Sequence, residues 1–217
     1  MRTNILLHEL PHTVRVHGME YGINYDFRTS ILFDLTMRSR ELSAEEKIYC
    51  ALQLYFPGDR PKDINAAMDA VLDFYNCGKP VRLPEKEEPR NQTRQRFKKE
   101  KAVYSFAEDA PYIYAAFREQ YGLDLQAIRR EELHWWEFMA LFESLSEQTK
   151  FSKIMYCRSV STAGMSKEQR RHINEMKKLY ALEDESTCNE KTALAKRDAQ
   201  MRAYVMARTA EVKMSSR

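Results

Sequence analysis

Residues 133–160, LHWWEFMALFESLSEQTKFSKIMYCRSV, place both tryptophans of the chain on one segment of helical periodicity. Trp135, Phe138, Phe142 and Leu145 follow one another at spacings of 3, 4 and 3, while Leu133, Trp136 and Ala140 fall on a neighbouring face. A helix that is apolar around so much of its circumference belongs at the centre of a fold. The segment then runs on into a second helix tagged with Lys150 and Lys153.

Toward the amino terminus the same periodicity recurs. Tyr114, Phe117 and Tyr121 lie on one helical stripe that Gly122 is placed to end, and Pro111 is tolerable only in that helix's first turn. Ser105 and Glu108 have the capping-box spacing ahead of it. Ile64, Ala67, Met68, Val71, Leu72 and Tyr75 form the cleanest stripe on the chain, stopped by Gly78 and Pro80. Before it, Ser43 and Glu46 start a helix burying Ile48, Ala51, Leu52 and Tyr55, and Phe27, Ile31, Leu35 and Leu42 suggest an earlier one. Alternation at 13–16 and 19–25 around His17 and Gly18 reads as a short β-hairpin or extended arm.

Beyond 160, Ser166 and Gln169 mark the start of a basic helix reaching Leu182. The last residues carry Leu194, Met201, Val205 and Val212 on one narrow stripe, which either docks on the body or inserts as a partner helix into another protein. Residues 79–101 hold three prolines and dense mixed charge with few apolar anchors. The expected organisation is an arm or hairpin at 1–25, a helical part at 26–79, a charged linker at 80–103, an aromatic-rich helical part at 104–182 and a helical or disordered tail at 183–217. The fold class is mainly α, a multi-helix bundle with a short amino-terminal β element.

Composition narrows the functional classes. With 35 basic and 32 acidic side chains the net charge of +3 is too small to imply nucleic acid by bulk electrostatics, although residues 166–217 hold 12 basic against 8 acidic. The cysteines at 50, 77, 157 and 188 match no zinc or compact disulfide spacing and read as cytosolic thiols. No apolar run approaches the roughly 18–20 residues that span a bilayer, and Pro11 interrupts the place of a signal peptide's apolar segment.

Motifs that could carry chemistry are weak. HELPH at 8–12 formally fits the H-E-x-x-H zinc pattern, which needs a continuous helix, and Pro11 breaks that helix while no third ligand follows. Chance spelling within an extended arm is the preferred reading, so no metal is assigned. His134 has no acid or nucleophile partner in sequence and reads as a packing residue. With no P-loop, no G-x-G-x-x-G and no G-x-S-x-G, no catalytic residue and no cofactor is assigned, and the chain is expected to be non-enzymatic. Residues 90–101 hold six basic side chains around Phe97 and could grip a phosphate backbone, though a solvated linker explains them better. The aromatic group Tyr104, Phe106, Tyr112, Tyr114, Phe117 and Tyr121 is expected to be mostly core, with a minority left for contacts.

Four stretches together, YGINYDFRTSILFDL (21–35), INAAMDAVLDFYNCGK (64–79), YSFAEDAPYIYAAFREQYGLDL (104–125) and residues 133–160, closely resemble the "gene product fifteen" family of phages and prophages of Gram-positive bacteria. The words DAPYIYAAF, LHWW and TKFSKI recur there in the same order, over roughly residues 20–180. The resemblance implies a role in phage morphogenesis with no catalytic residues to carry over. Its members are encoded between the major tail protein and the tape measure protein, the usual place of tail assembly chaperones. The implied function is a tail assembly chaperone in the host bacterial cytoplasm that binds the tape measure protein and could recruit the tail tube protein. Trp135, Trp136, Phe138 and Phe142 would scaffold the partner site, with contact made by its exposed flank. A structural tail subunit of the virion and a nucleic-acid-binding phage adaptor are the alternatives, and self-association is left open.

Overall fold

The computed structural model describes residues 4–79 and 103–182. Most of the expected linker, the basic stretch at 90–101 and the tail with Leu194, Met201, Val205 and Val212 lie outside the described residues. Among the described residues the fold is mainly α, with seven helices and one two-stranded sheet. No helix among them is long and apolar enough to cross a membrane.

Strands Thr13–Val16 (β1) and Met19–Gly22 (β2) pair antiparallel, with Val14 opposite Tyr21 and Val16 opposite Met19. His17 and Gly18 have φ of 50° and 80°, the left-handed pair that matches strand twist in a two-residue hairpin. Val14 and Val16 are buried between exposed Thr13 and Arg15, so the strand alternation has a physical cause: β1 lies on helix α3 (Ile64–Tyr75).

Helix α1 (Phe27–Arg38) starts on Asp26, whose carboxylate accepts from the backbone N–H groups of Arg28 and Thr29. It is shorter than the apolar spacing predicts: the chain leaves the helix at Ser39, so Leu42 lies past its end. Its buried face also differs. Phe27, Leu32 and Phe33 are buried together with Thr29, Ser30, Asp34 and Thr36, while Ile31 and Leu35 are only half-buried. Polar residues can occupy that face because each finds a partner: Ser30 Oγ is 2.9 Å from Tyr55 Oη, Tyr75 Oη donates to Asp34 at 2.9 Å, and Thr36 Oγ1 donates to the Leu32 carbonyl at 2.8 Å.

Helix α2 (Ala44–Tyr55) has the expected capping box, Ser43 accepting from Glu46 N and Glu46 from Ser43 N. Its carboxyl end carries no cation, and Asn24 takes its place, donating from N–H to the Tyr55 carbonyl at 2.8 Å and from Nδ2 to the Leu54 carbonyl at 2.7 Å. In α3 the buried residues are Ala67, Met68, Val71 and Phe74, whereas Ile64 and Leu72, expected inside, are exposed. Leu72 is turned out because the helix is rotated toward Phe74, which packs on Tyr55 and Trp136, whereas Ile64 is exposed as the first residue of the helix.

Helix α4 (Ala110–Tyr121) begins one turn later than the Ser105–Glu108 pattern places it. Ser105 Oγ accepts from Glu108 N, but the carboxylate that returns to Ser105 N is that of Asp109, and Pro111 sits in the first turn. Gly122, at φ 67°, ends the helix as expected. A short 3-10 turn at Arg130–Glu132 leads into α5 (Trp135–Glu143), followed by α6 (Lys150–Ser159) and α7 (Lys167–Leu179). α1 packs on α2 and α5, α2 on α3, α4 on α6, and α6 on α7. One hydrophobic cluster joins Phe33, Tyr55 and Val71 to Phe117, Trp135, Phe138 and Phe151.

Candidate protein-binding site

α5 is built around its own rings. Phe138, fully buried, stacks on Phe27 of α1 at 5.1 Å and on Phe117 of α4 at 5.0 Å, and lies 5.6 Å from Trp135 and 5.9 Å from Phe142. Phe142 in turn meets Tyr104 and Phe151. Both indoles then use their single donor on the same target: Trp135 Nε1 donates to the Tyr75 carbonyl and Trp136 Nε1 to the Phe74 carbonyl, each at 2.8 Å. These are carbonyls of the last turn of α3, whose usual N–H partners lie past the helix end, and the Phe74 carbonyl also accepts from Cys77 N at 2.9 Å. The adjacent tryptophans therefore cap α3. The close approach extends to Gly78, at φ 63°, where a side chain's first carbon would lie 3.5 Å from the Trp136 ring.

The start of α5 is fixed by His134. Its Nδ1 accepts from Trp136 N at 3.0 Å and Glu137 returns to His134 N at 3.1 Å, a capping box with imidazole in the usual hydroxyl's place. With Nδ1 accepting, Nε2–H donates to the Pro11 carbonyl at 3.0 Å. Burial depresses its pKa below the ordinary histidine value, so the ring is neutral and both nitrogens are occupied. Here the packing reading of His134 is what the geometry displays. Asp26 and His134 also form an isolated antiparallel bridge, with Trp135 N donating to the Tyr25 carbonyl at 2.8 Å, a contact that no sequence pattern announced.

The HELPH segment is not helical. His8 Nδ1 accepts from Asn4 N within a local turn, whereas the His12 ring stacks on Tyr25 at 4.1 Å, so the two histidines serve different contacts. Among the described residues no group of three potential metal ligands occurs. Burial pushes the Cys77 thiol up to about 11, which keeps it protonated at neutral pH.

Of the four expected scaffold residues, Trp135, Phe138 and Phe142 are buried and Trp136 is half-buried. Three of them are thus closed to direct contact by a partner in this conformation. What α5 turns outward is Glu137, Ala140 and Glu143, with Met139 half-buried beside them. Of the aromatic group, Phe106 and Phe117 are buried and the four tyrosines are half-buried.

The second buried anchor is ionic. Arg158 of α6 meets Asp109 through two parallel bonds, 2.6 and 2.9 Å, in a fork geometry with side chains 10 % and 1 % exposed. The same guanidinium donates to the carbonyls of Val103 and Tyr180. It therefore ties the head of α4 and the foot of α7 to α6. Pairing of Asp109 with Arg158 could not be read from the sequence, since 49 residues separate them.

The family model described as Bacteriophage Gp15 protein matches residues 6–182 of this chain. The chain belongs to the bacteriophage Gp15 family. No curated protein and no solved structure matches it. The Gp15 match covers both strands and all seven described helices and stops short of the stripe from Leu194 to Val212.

Proposed function

We propose that this Gp15 protein is a non-enzymatic tail assembly factor, a chaperone that binds the tape measure protein in the host cytoplasm before the tail tube encloses it. The observation that carries this reading is family membership over residues 6–182, joined to the gene neighbourhood that the family resemblance implies. A tape measure protein is a very long helical chain whose apolar stripes lack partners until assembly, and such stripes aggregate. Many weak contacts repeated along its length would shield it.

The physical character of this chain suits that task. Most of its large aromatic side chains, Trp135, Phe138 and Phe142 among them, lie in its own core, while Trp136 is half-buried. Smaller contact points are left outside: Leu6, Leu7, Met19, Tyr49 and Leu179 are more than half exposed. Co-expression with the adjacent tape measure protein, followed by affinity pulldown and a solubility assay, tests the proposal. A soluble complex formed only when both chains are present is the expected result. Absence of binding, with this chain found instead in stoichiometric amounts in purified virions, would make it a structural tail subunit.

A further inference from the structure

Charge is distributed unevenly over the described residues. Residues 150–180, which comprise α6, α7 and their connection, carry eight basic and two acidic side chains. Residues 4–79 and 103–149 carry 11 basic and 20 acidic. Leaving aside the buried Arg158–Asp109 pair, charge is therefore segregated along the described chain, +5 over 150–180 (7 basic, 2 acidic) against −8 over the rest (11 basic, 19 acidic), although the whole chain is only +3.

Apolar side chains are exposed at both poles. At the basic end, Tyr156 is 58 % and Leu179 70 % exposed. Lys153 shares the outer face of α6 with Tyr156, three residues apart, and Lys178 precedes Leu179 in the last turn of α7. Neither lysine has an anionic partner among the described residues. On the acidic body, the outward face of α3 presents Leu72, 38 % exposed, alongside exposed Asp69 and Asp73, which likewise have no cationic partner among the described residues. The two surfaces are complementary in charge and both offer apolar area. They lie on different elements of one chain, so a contact between copies joins one patch to the other.

We propose that copies of this chain associate head to tail, the basic α6–α7 end of one copy seated on the acidic outer face of α3 in the next. Such a contact joins unlike surfaces: it closes into a ring, the smallest being a two-fold dimer that makes the contact twice, or continues as a filament, depending on the rotation between copies. Exposed charges attract over a screening length of about 8 Å at physiological salt, so the association weakens as salt rises. The inference does not depend on the chaperone reading, because it requires no tape measure protein.

The experiment is sedimentation of the full chain, freed of nucleic acid by nuclease, at low and high salt over a range of protein concentrations. Two charge-reversed forms accompany it, one with Asp69→Lys and Asp73→Lys and the other with Lys153→Glu and Lys178→Glu, each checked for unchanged helical content by circular dichroism. The native chain should form species that grow with concentration at low salt and dissociate at high salt. Either reversed form alone should be monomeric, while an equimolar mixture of the two should associate again, since each offers the surface complementary to the other's. A native chain that stays monomeric at low salt, or that associates only before nuclease treatment, overturns the proposal. So do reversed forms that still associate alone and a mixture that fails to recover.

Discussion

α5 and α7 begin with the same device and end as opposites. Each opens on a capping box, His134 with Glu137 in one and Ser166 with Gln169 in the other, so local chemistry starts both helices equally well. α5 then buries Trp135, Phe138 and Phe142 in the common core, whereas α7 buries no residue completely and is held by Arg158 and by Lys177, which donates to the Val160 carbonyl. Starting a helix and making it essential are separate properties. The first depends on a few hydrogen bonds at the terminus, and the second on apolar area removed from water and on the carbonyls or charges it satisfies elsewhere.

The largest expected effect is in α5. Phe138→Ala removes a ring that is stacked on three helices' worth of neighbours and should cost about 3–5 kcal/mol in urea unfolding. A loss below 1 kcal/mol would mean the stack is not the centre of the fold. Next comes Arg158→Ala, which leaves the Asp109 carboxylate buried without its counter-charge and should cost about 3 kcal/mol. Ala110→Ser, at an exposed neighbouring position, serves as the control and should change stability by less than about 0.5 kcal/mol.

A smaller effect depends on pH. Because burial lowers the His134 pKa below its ordinary value of 6.5, the unfolded chain takes up this proton before the folded one. The stability contributed by neutral His134 is complete above pH 6.5 and is lost as pH falls from there toward the folded pKa. His134→Asn keeps a capping acceptor without titrating, so it should flatten the fall in urea midpoint just below pH 6.5. An unchanged slope would show that the imidazole is not the responsible group. The smallest effect belongs to the exposed end of α7, where Leu179→Ser should shift stability by less than about 0.5 kcal/mol.

Much of this comparison was legible in the sequence. Turn and cap residues act locally, so the His17-Gly18 hairpin, the Ser43 and Ser166 capping boxes and the Gly122 stop could be placed from a few neighbouring letters. The central position of α5 followed from its apolar circumference. What escaped was decided at a distance. The buried face of α1 looked polar because Ser30 and Asp34 are satisfied by tyrosine hydroxyls from α2 and α3. The rotation of α3 that exposes Leu72 follows from seating Phe74 against Tyr55 and Trp136. Both tryptophans were expected to scaffold a partner site, and the sequence could not show that their N–H groups are committed to carbonyls about 60 residues earlier in the chain. The family could be recognised from its words, whereas which side chains of α5 are accessible required burial to be known.

Native-state hydrogen exchange tests the contrast between the two helices most directly. Amides of α1, α3, α4 and α5 should share the slowest exchange, governed by global unfolding, because their rings meet in one cluster. Those of α7 should exchange through a cheaper local opening that leaves the α5 amides protected. Equal protection of α7 and α5, or separate unfolding of residues 4–79 and 103–159, would contradict a single core organised by α5.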